Sequence, residues 1–278
     1  MSRCLVTGHL GYIGSRVLAE LVKQGHEVRG IDLKDGNDII TDLDSLDGFD
    51  PEYVFHLAAI PRVPYSVEYP EHVLENNILS TIRILEYARQ KGVKRLIYSS
   101  SSSVVGDGNG PTSPYGASKL VPEILCKNYT DVYGLDTVSL RYFNVYSEDQ
   151  PHDGPYTTAI ANFMHCIRNG TNPFITGDGE QRRDMVHVVD VVSANIFCMN
   201  QDEDFGGRWF DVATGNNISL NEIEAIVKKN HPDVVFDRRP DRAGDVKETR
   251  ANTEPLRLRG WVASTSIIEG INRCFQAE

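Results

Sequence analysis

Cysteine is scarce and scattered in this sequence: Cys4, Cys126, Cys166, Cys198 and Cys274 are odd in number, widely spaced and without a Cys-x-x-Cys pair. That pattern offers no disulfide framework and no metal or redox motif, so reduced thiols are the expectation. Positive charge is also in short supply. With 28 Lys and Arg against 39 Asp and Glu the formal charge is -11, which argues against nucleic acid as the main partner, because phosphate backbones reward a basic face. A phosphate-bearing small molecule needs only a few local cations and stays open. No stretch approaches 18 uninterrupted apolar residues, and the first residues run into an apolar strand rather than a basic leader. The expectation is a cytoplasmic, soluble protein with no membrane partner. Internal repeats, heptads and low-complexity segments are missing as well. What remains is 40% hydrophobic content over 278 residues, enough for one large domain or a large and a small lobe.

The order of patterns is more telling. Leu5-Val6 leads into Thr7-Gly8-His9-Leu10-Gly11-Tyr12-Ile13-Gly14, after which Val17, Leu18, Leu21 and Val22 recur at helical spacing. This reads as strand, glycine turn, helix. The next apolar run, Glu27 to Ile31, stops at Asp32, and further strands are expected at Tyr53 to Leu57, Arg95 to Ser99 and Thr137 to Tyr142. Helical patterns at Glu71 to Lys91 and Tyr115 to Tyr133 separate them. Such alternation implies an α/β fold: a Rossmann-type, doubly wound parallel sheet with right-handed crossovers, over about residues 1–146. Beyond it, residues 147–278 read as a smaller α/β lobe, with helices at Thr157 to Asn169, Ser219 to Asn230 and Thr265 to Phe275. Val186 to Met199 reads as a return to the main sheet, so that residues 184–203 rejoin the first domain.

Gly8, Gly11 and Gly14 allow a tight turn and close approach to a pyrophosphate at a helix N-terminus. Glycine spacing alone is common; here it sits between a strand and a helix, with an acid ending the next strand. Asp32 suits the ribose hydroxyls of NAD and repels a 2′-phosphate, the alternative being a plain strand-end aspartate. Tyr115 stands four residues before Lys119, on one helical face. An ammonium held there would pull the phenol below its usual pKa of about 10 and make it a proton acceptor near neutrality. The alternative is an ordinary helix-surface pair.

Several stretches in one order resemble the extended short-chain dehydrogenase/reductase family, and within it the nucleotide-sugar epimerases and dehydratases. They are Thr7 to Gly14, Asp42-Leu43, His56 to Ala59, Asn76-Asn77, Ser99 to Gly106, Tyr115 to Lys119, Arg141 to Asn144, Gly177 to Asp184 and Arg242 to Asp245. The resemblance implies NAD as a tightly held cofactor. It places Tyr12, Ile13, Asp42, Leu43, Leu57, Ala58, Ala59, Asn77, Ser99, Tyr142 and Phe143 around that cofactor, with Tyr115 and Lys119. It puts the hydroxyl that bonds the reacting sugar oxygen at Ser101, with Ser100 and Ser103 as alternatives in a run of five serines. His56 reads as the end of a buried strand rather than a chemical group. Pro61 and Val105 depart from residues usual in the family, a lysine and a tyrosine.

Dehydratases and decarboxylases of the family place acids in the serine turn, where this chain has Ser102-Ser103. Loss of water or carbon dioxide is therefore disfavoured, and reversible oxidation at one carbinol is left: a 4-epimerase acting on UDP-sugars. The alternatives are another nucleotide-sugar enzyme of the fold (dehydratase, decarboxylase or reductase) and a catalytically silent NAD-binding regulator. The resemblance takes Arg183 and Arg242 to the substrate diphosphate, with Asn144 and Thr158 beside it and Phe174 and Thr176 flanking uracil. Thr249, seven residues after Arg242, stands where hexose-restricted epimerases carry a bulky tyrosine, so room for an N-acetyl group is expected. Only nine residues, Asp107 to Tyr115, follow Gly106 up to the tyrosine, and the stretch from Asp32 to Tyr53 is also short for the family. Family members often form homodimers by pairing the two long helices.

Overall fold

The computed structural model describes residues 1–106, 108–152, 157–240 and 247–276. Its backbone contacts divide into two compact units, Met1–Tyr142 with Val191–Asp211, and Phe143–Asp190 with Val212–Glu278.

The first unit is built in the order β1 (Arg3–Thr7), α1 (Gly14–Lys23), β2 (Glu27–Ile31), β3 (Tyr53–His56), α2 (Val63–Glu68), α3 (Pro70–Lys91), β4 (Arg95–Ser101), α4 (Pro114–Tyr133) and β5 (Asp136–Tyr142). The sheet runs Trp209–Val212, β5, β4, β3, β1, β2, and the pairs among β1 to β5 are parallel. Strands β4 and β5 are buried almost throughout, as strands covered on both faces must be. Leu5, Val54, Leu96 and Tyr98 from the sheet meet Ile84, Leu85 and Ala88 of α3 and Cys126 of α4 in one core. Helices α3 and α4 each stop at a glycine in the left-handed region, Gly92 and Gly134.

One expectation is corrected here. The stretch Val186 to Met199 does not return to the main sheet as a strand: Val186–His187 is a two-residue strand paired with Val145–Tyr146, and Val188–Met199 is a helix. The sixth strand is Trp209–Val212. A run as apolar as Val188-Val-Asp-Val-Val192 carries no period that separates a buried strand from a buried helix. Arg95 ties the region after that helix to the sheet. Its guanidinium pairs with Asp136 at 2.5 Å and donates to the carbonyls of Cys198 and Gln201.

In the second unit, Arg182–Asp184 lies between Asn217–Ser219 and Glu248–Thr249, and Phe174–Thr176 pairs with Asp237–Arg239. Helices Ala159–Arg168, Leu220–Asn230 and Ile267–Cys274 pack on a core of Tyr146, Phe163, Ile175, Met185, Ile223, Val227 and Ile271. Ser219 and Glu222 form a reciprocal capping box at the start of the second of these helices. No described helix is long and apolar enough to cross a membrane.

Candidate active site

The glycine turn is held by its own backbone. Gly8 has φ of +69°, and a Cβ built on it would lie 2.7 Å from the Ala58 nitrogen; one on Gly14 would lie 2.1 Å from the Gly8 carbonyl oxygen. Only hydrogen side chains let these segments approach so closely. Helix α1 then starts at Gly14 with Ile13 as a cap residue that makes no side-chain bond, and Ser15, Arg16 and Val17 give their N–H groups to the carbonyls of Gly11 and Ile13, so the turn closes on itself with its positive end toward the glycines. At the end of β2, Asp32 is buried and accepts from Leu10 N–H at 2.9 Å and Lys34 N–H at 2.9 Å. One lone pair on each carboxylate oxygen remains for ribose hydroxyls. The site fits a dinucleotide: a tight glycine turn at a helix N-terminus for the pyrophosphate and a carboxylate for the ribose.

A hydroxyl anchors the far side of that turn. Thr7 Oγ1 accepts from the N–H groups of Leu57 and Ala58 at 3.2 and 3.1 Å and lies 2.7 Å from His56 Nδ1. Asn77 binds both the N–H and the carbonyl of Ile60 and donates to Ser118 Oγ. Leu57, Ala58 and Ala59 are thereby fixed next to β1, and Asn77 acts by holding the backbone beyond them. Asp42 turns inward on its own loop, its carboxylate accepting from Asp38 N–H, while Leu43 packs against the core.

Tyr115 opens α4. Ser113 caps the helix through Gly116 N–H, Pro114 occupies the first turn, and Ser66 Oγ accepts from Tyr115 N–H at 3.0 Å. The Tyr115 ring is buried, and burial pushes its phenol up from the ordinary tyrosine value, while a hydrogen bond with the Ser101 side chain pulls it down. Of the serines weighed for this role, the structure brings Ser101 to the phenol; Ser100 bonds Glu123 and Ser103 bonds Ser101. Lys119 Nζ donates to the Ser99 carbonyl at 2.9 Å and sits 5.1 Å from the Tyr98 ring centroid. Burial lowers the Lys119 ammonium to about 8, against an opposing influence of Glu123. The expectation that Lys119 depresses Tyr115 is not met: desolvation outweighs every other influence on the phenol, and the ammonium is engaged by Ser99 and Tyr98. Ser99 Oγ and Tyr142 Oη are 2.9 Å apart, so these two residues brace each other beneath the pair.

The second unit carries a pocket of about 250 Å³. Its walls include Asn144, Thr158, Phe174, Thr176 and Arg183, five of the residues expected to meet a substrate, together with Asn162, Gln181 and Met185. Asn144 takes a positive φ of 38° and donates to the Asp184 carbonyl at 2.7 Å. Asp184 is buried and bonds Thr214 and Ala251, anchoring the strand that carries Arg183. Arg239 lies over the Phe174 ring, 3.5 Å from its centroid. Thr249 pairs with Arg183 in the sheet register, and its hydroxyl is buried with no hydrogen-bond partner among the described residues. Phe143 packs with Ala213 and Ala251. Arg242 and the rest of its motif, like Asp107 in the shortened loop, lie outside the described residues.

Residues 4–213 match the NAD dependent epimerase/dehydratase family. The chain belongs to that family. A UDP-glucose 4-epimerase from Mycolicibacterium smegmatis is 33% identical over 308 residues, covering 97% of this chain and 96% of the relative. Among solved structures, a UDP-N-acetylglucosamine 4-epimerase from Methanobrevibacter ruminantium, in complex with UDP-N-acetylmuramic acid, superposes with a TM-score of 0.90 at 30% identity, over 99% of this chain and 97% of that one. A UDP-glucose 4-epimerase from Thermus thermophilus, in complex with NAD, does so with a TM-score of 0.85 at 29% identity, over 97% and 96%. The dinucleotide that this family member uses is NAD, as the acid ending β2 led us to expect.

Family membership accounts for the glycine turn and the tyrosine and lysine of α4, all of which sequence spacing picked out. It leaves several residues that the spacing did not flag. Ser66, Ser118 and Glu123 were passed over because each is a common polar residue with a partner distant in sequence, up to 49 positions for Ser66 and Tyr115. Glu123 left one usable trace, its position one helical turn beyond Lys119.

Proposed function

We propose that the chain is an NAD-dependent UDP-sugar 4-epimerase that interconverts gluco and galacto forms and accepts N-acetylhexosamines. The observation that carries the reading is the trio of Ser101, Tyr115 and Lys119, joined to a serine turn that holds no carboxylate. With Ser101 bonding the C4 hydroxyl, Tyr115 takes its proton as the carbinol is oxidised and returns it when the ketone is reduced on the other face. Bound NAD supplies the hydride acceptor. Lys119 contributes a buried cation one helical turn from Tyr115, and Ser101 lowers the cost of ionising a phenol that burial otherwise keeps protonated. With no acid at Ser102 or Ser103, the ketone has no second base to draw off the neighbouring proton, which favours simple return of hydride over elimination.

The pocket of the second unit supports a nucleotide diphosphate: Arg183 offers a guanidinium fork and Asn144, Thr158 and Thr176 offer short polar groups. Thr249 is the basis for including N-acetylhexosamines, since a small side chain stands beside Arg183 in the register. A cytoplasmic location and a homodimer formed through α3 and α4 belong to the same reading. Ile82, Val121 and Ile124 on those helices are exposed, which suits a second copy.

Purified protein incubated separately with UDP-N-acetylglucosamine and UDP-glucose, without added cofactor, and followed by proton NMR of the anomeric region, tests the proposal. New galacto signals from both are expected. A 4-keto-6-deoxy sugar, a pentose or no change would overturn it.

A further inference from the structure

Three consecutive serines of β4 each bond one residue of α4. Ser99 gives its carbonyl to Lys119 Nζ, Ser100 donates its hydroxyl to Glu123 Oε1 at 2.5 Å, and Ser101 bonds the Tyr115 phenol. The middle rung belongs to no part of the chemistry described so far. Glu123 is 5% exposed, and its carboxylate is gripped from the other side by Arg141 of β5, Nε to Oε1 at 2.8 Å and Nη2 to Oε2 at 2.6 Å. Arg141 in turn lies flat over Trp209, 3.6 Å from the ring centroid. A buried carboxylate is costly unless fully paired, and a hydrophobic residue would cover the sheet as well. Its partner Ser100 stands between the two serines that hold Lys119 and Tyr115, which gives the acid a use.

We propose that Glu123 is a positioning residue for the Tyr115 and Lys119 pair: clamped by Arg141, it locks β4 against α4 through Ser100, and its charge, one helical turn away, holds Lys119 as a cation. The charged and titratable groups that face Lys119 sort simply. Glu123 is on its own helix, as is Tyr115, which is neutral when protonated; Tyr98 of β4 presents an aromatic face, and His56 of β3 is kept uncharged by burial. Arg141 of β5 is held in the bidentate pair with Glu123 and offsets only part of that carboxylate's charge. Glu123 therefore supplies the counter-charge, and the Ser100 rung supplies the register. The two roles separate by mutation.

The proposal rests on the epimerase reading only where turnover is measured. The test uses the full chain saturated with NAD, labelled with 13Cε lysine, the Lys119 signal being assigned by its loss in K119M. In E123Q the Lys119 titration is expected to move down by about one pH unit, and in E123D to stay with the parent protein. In S100A, which keeps the ion pair, it should not move, while kcat for epimerisation falls about tenfold with KM within about twofold. Should E123Q fail to fold, E123Q/R141M, which replaces both buried charges by neutral groups of similar size, takes its place, with a smaller downward displacement expected because the guanidinium is removed with the carboxylate. An unmoved Lys119 titration in a folded E123Q or double variant overturns the charge role, and an unchanged kcat in S100A overturns the register role. Absence of turnover in the parent protein would refute the epimerase reading and leave the titration result standing.

Discussion

The Thr7 hydroxyl and His56 Nδ1 lie 2.7 Å apart on two strands paired in parallel, opposite each other in the register. Because Thr7 Oγ1 already accepts two backbone N–H groups, its own proton goes to Nδ1. The imidazole therefore carries its hydrogen on Nε2 and donates it to Thr81 Oγ1 at 3.0 Å, which donates onward to the Asn77 carbonyl. Burial lowers His56 to about 3 from an ordinary 6.5. A neutral, doubly bonded imidazole thus fixes the loop that backs the glycine turn.

That histidine makes stability fall in acid. Between about 6.5 and 3 the unfolded chain binds a proton at this position and the folded chain does not, so stability is lost as pH drops through that window. The full span is roughly 5 kcal/mol. Melting temperature against pH should therefore slope less steeply in H56N than in the parent protein from pH 6.5 downward, and parallel slopes would assign the acid sensitivity elsewhere.

Replacing Tyr115 by phenylalanine removes the hydroxyl proposed as proton acceptor and leaves the glycine turn intact. Turnover of UDP-glucose is expected to fall roughly a thousandfold while NAD stays bound. Burial sets Lys119 at about 8, so its cation is lost as pH rises through that value and the rate of the parent protein should decline on the alkaline side. A rate–pH profile checks the direction; a rate still climbing above pH 9 contradicts it.

Arg183 lines the pocket of the second unit and is expected to bind the diphosphate equally in ground and transition states. R183L should raise KM by about tenfold or more and change kcat by less than about threefold. Steady-state kinetics decide this, and a kcat effect of the same size as the KM effect would move Arg183 into the chemical step.

Thr249 stands opposite Arg183 in the sheet register. T249Y should abolish turnover of UDP-N-acetylglucosamine and retain that of UDP-glucose, read as the ratio of kcat/KM for the two sugars. An unchanged ratio would mean that the N-acetyl group is accommodated elsewhere.

Much of this was legible in the chain. Gly8, Gly11, Gly14 and Asp32 are close in sequence to the elements they serve, and the local order of strand, turn and helix carries their meaning. Tyr115 and Lys119 declare themselves for the same reason, since a helical repeat places them on one face. Thr7, Ser66 and Glu123 left no comparable mark, because each works through a partner on another element and a lone polar residue has no period.

The sequence by itself determined the alternation of strands and helices, the glycine turn between β1 and α1 and the placing of Tyr115 and Lys119 on one helix, all of which depend on spacings of a few residues. Only the tertiary structure decided that Trp209–Val212, and not the apolar run after Met185, completes the sheet. It alone showed that Lys119 faces Ser99 and Tyr98, and that burial raises the Tyr115 phenol. The physical reason is common to both: burial and hydrogen-bond partnership are set by which segments pack together, and those neighbours lie tens of residues apart in the chain.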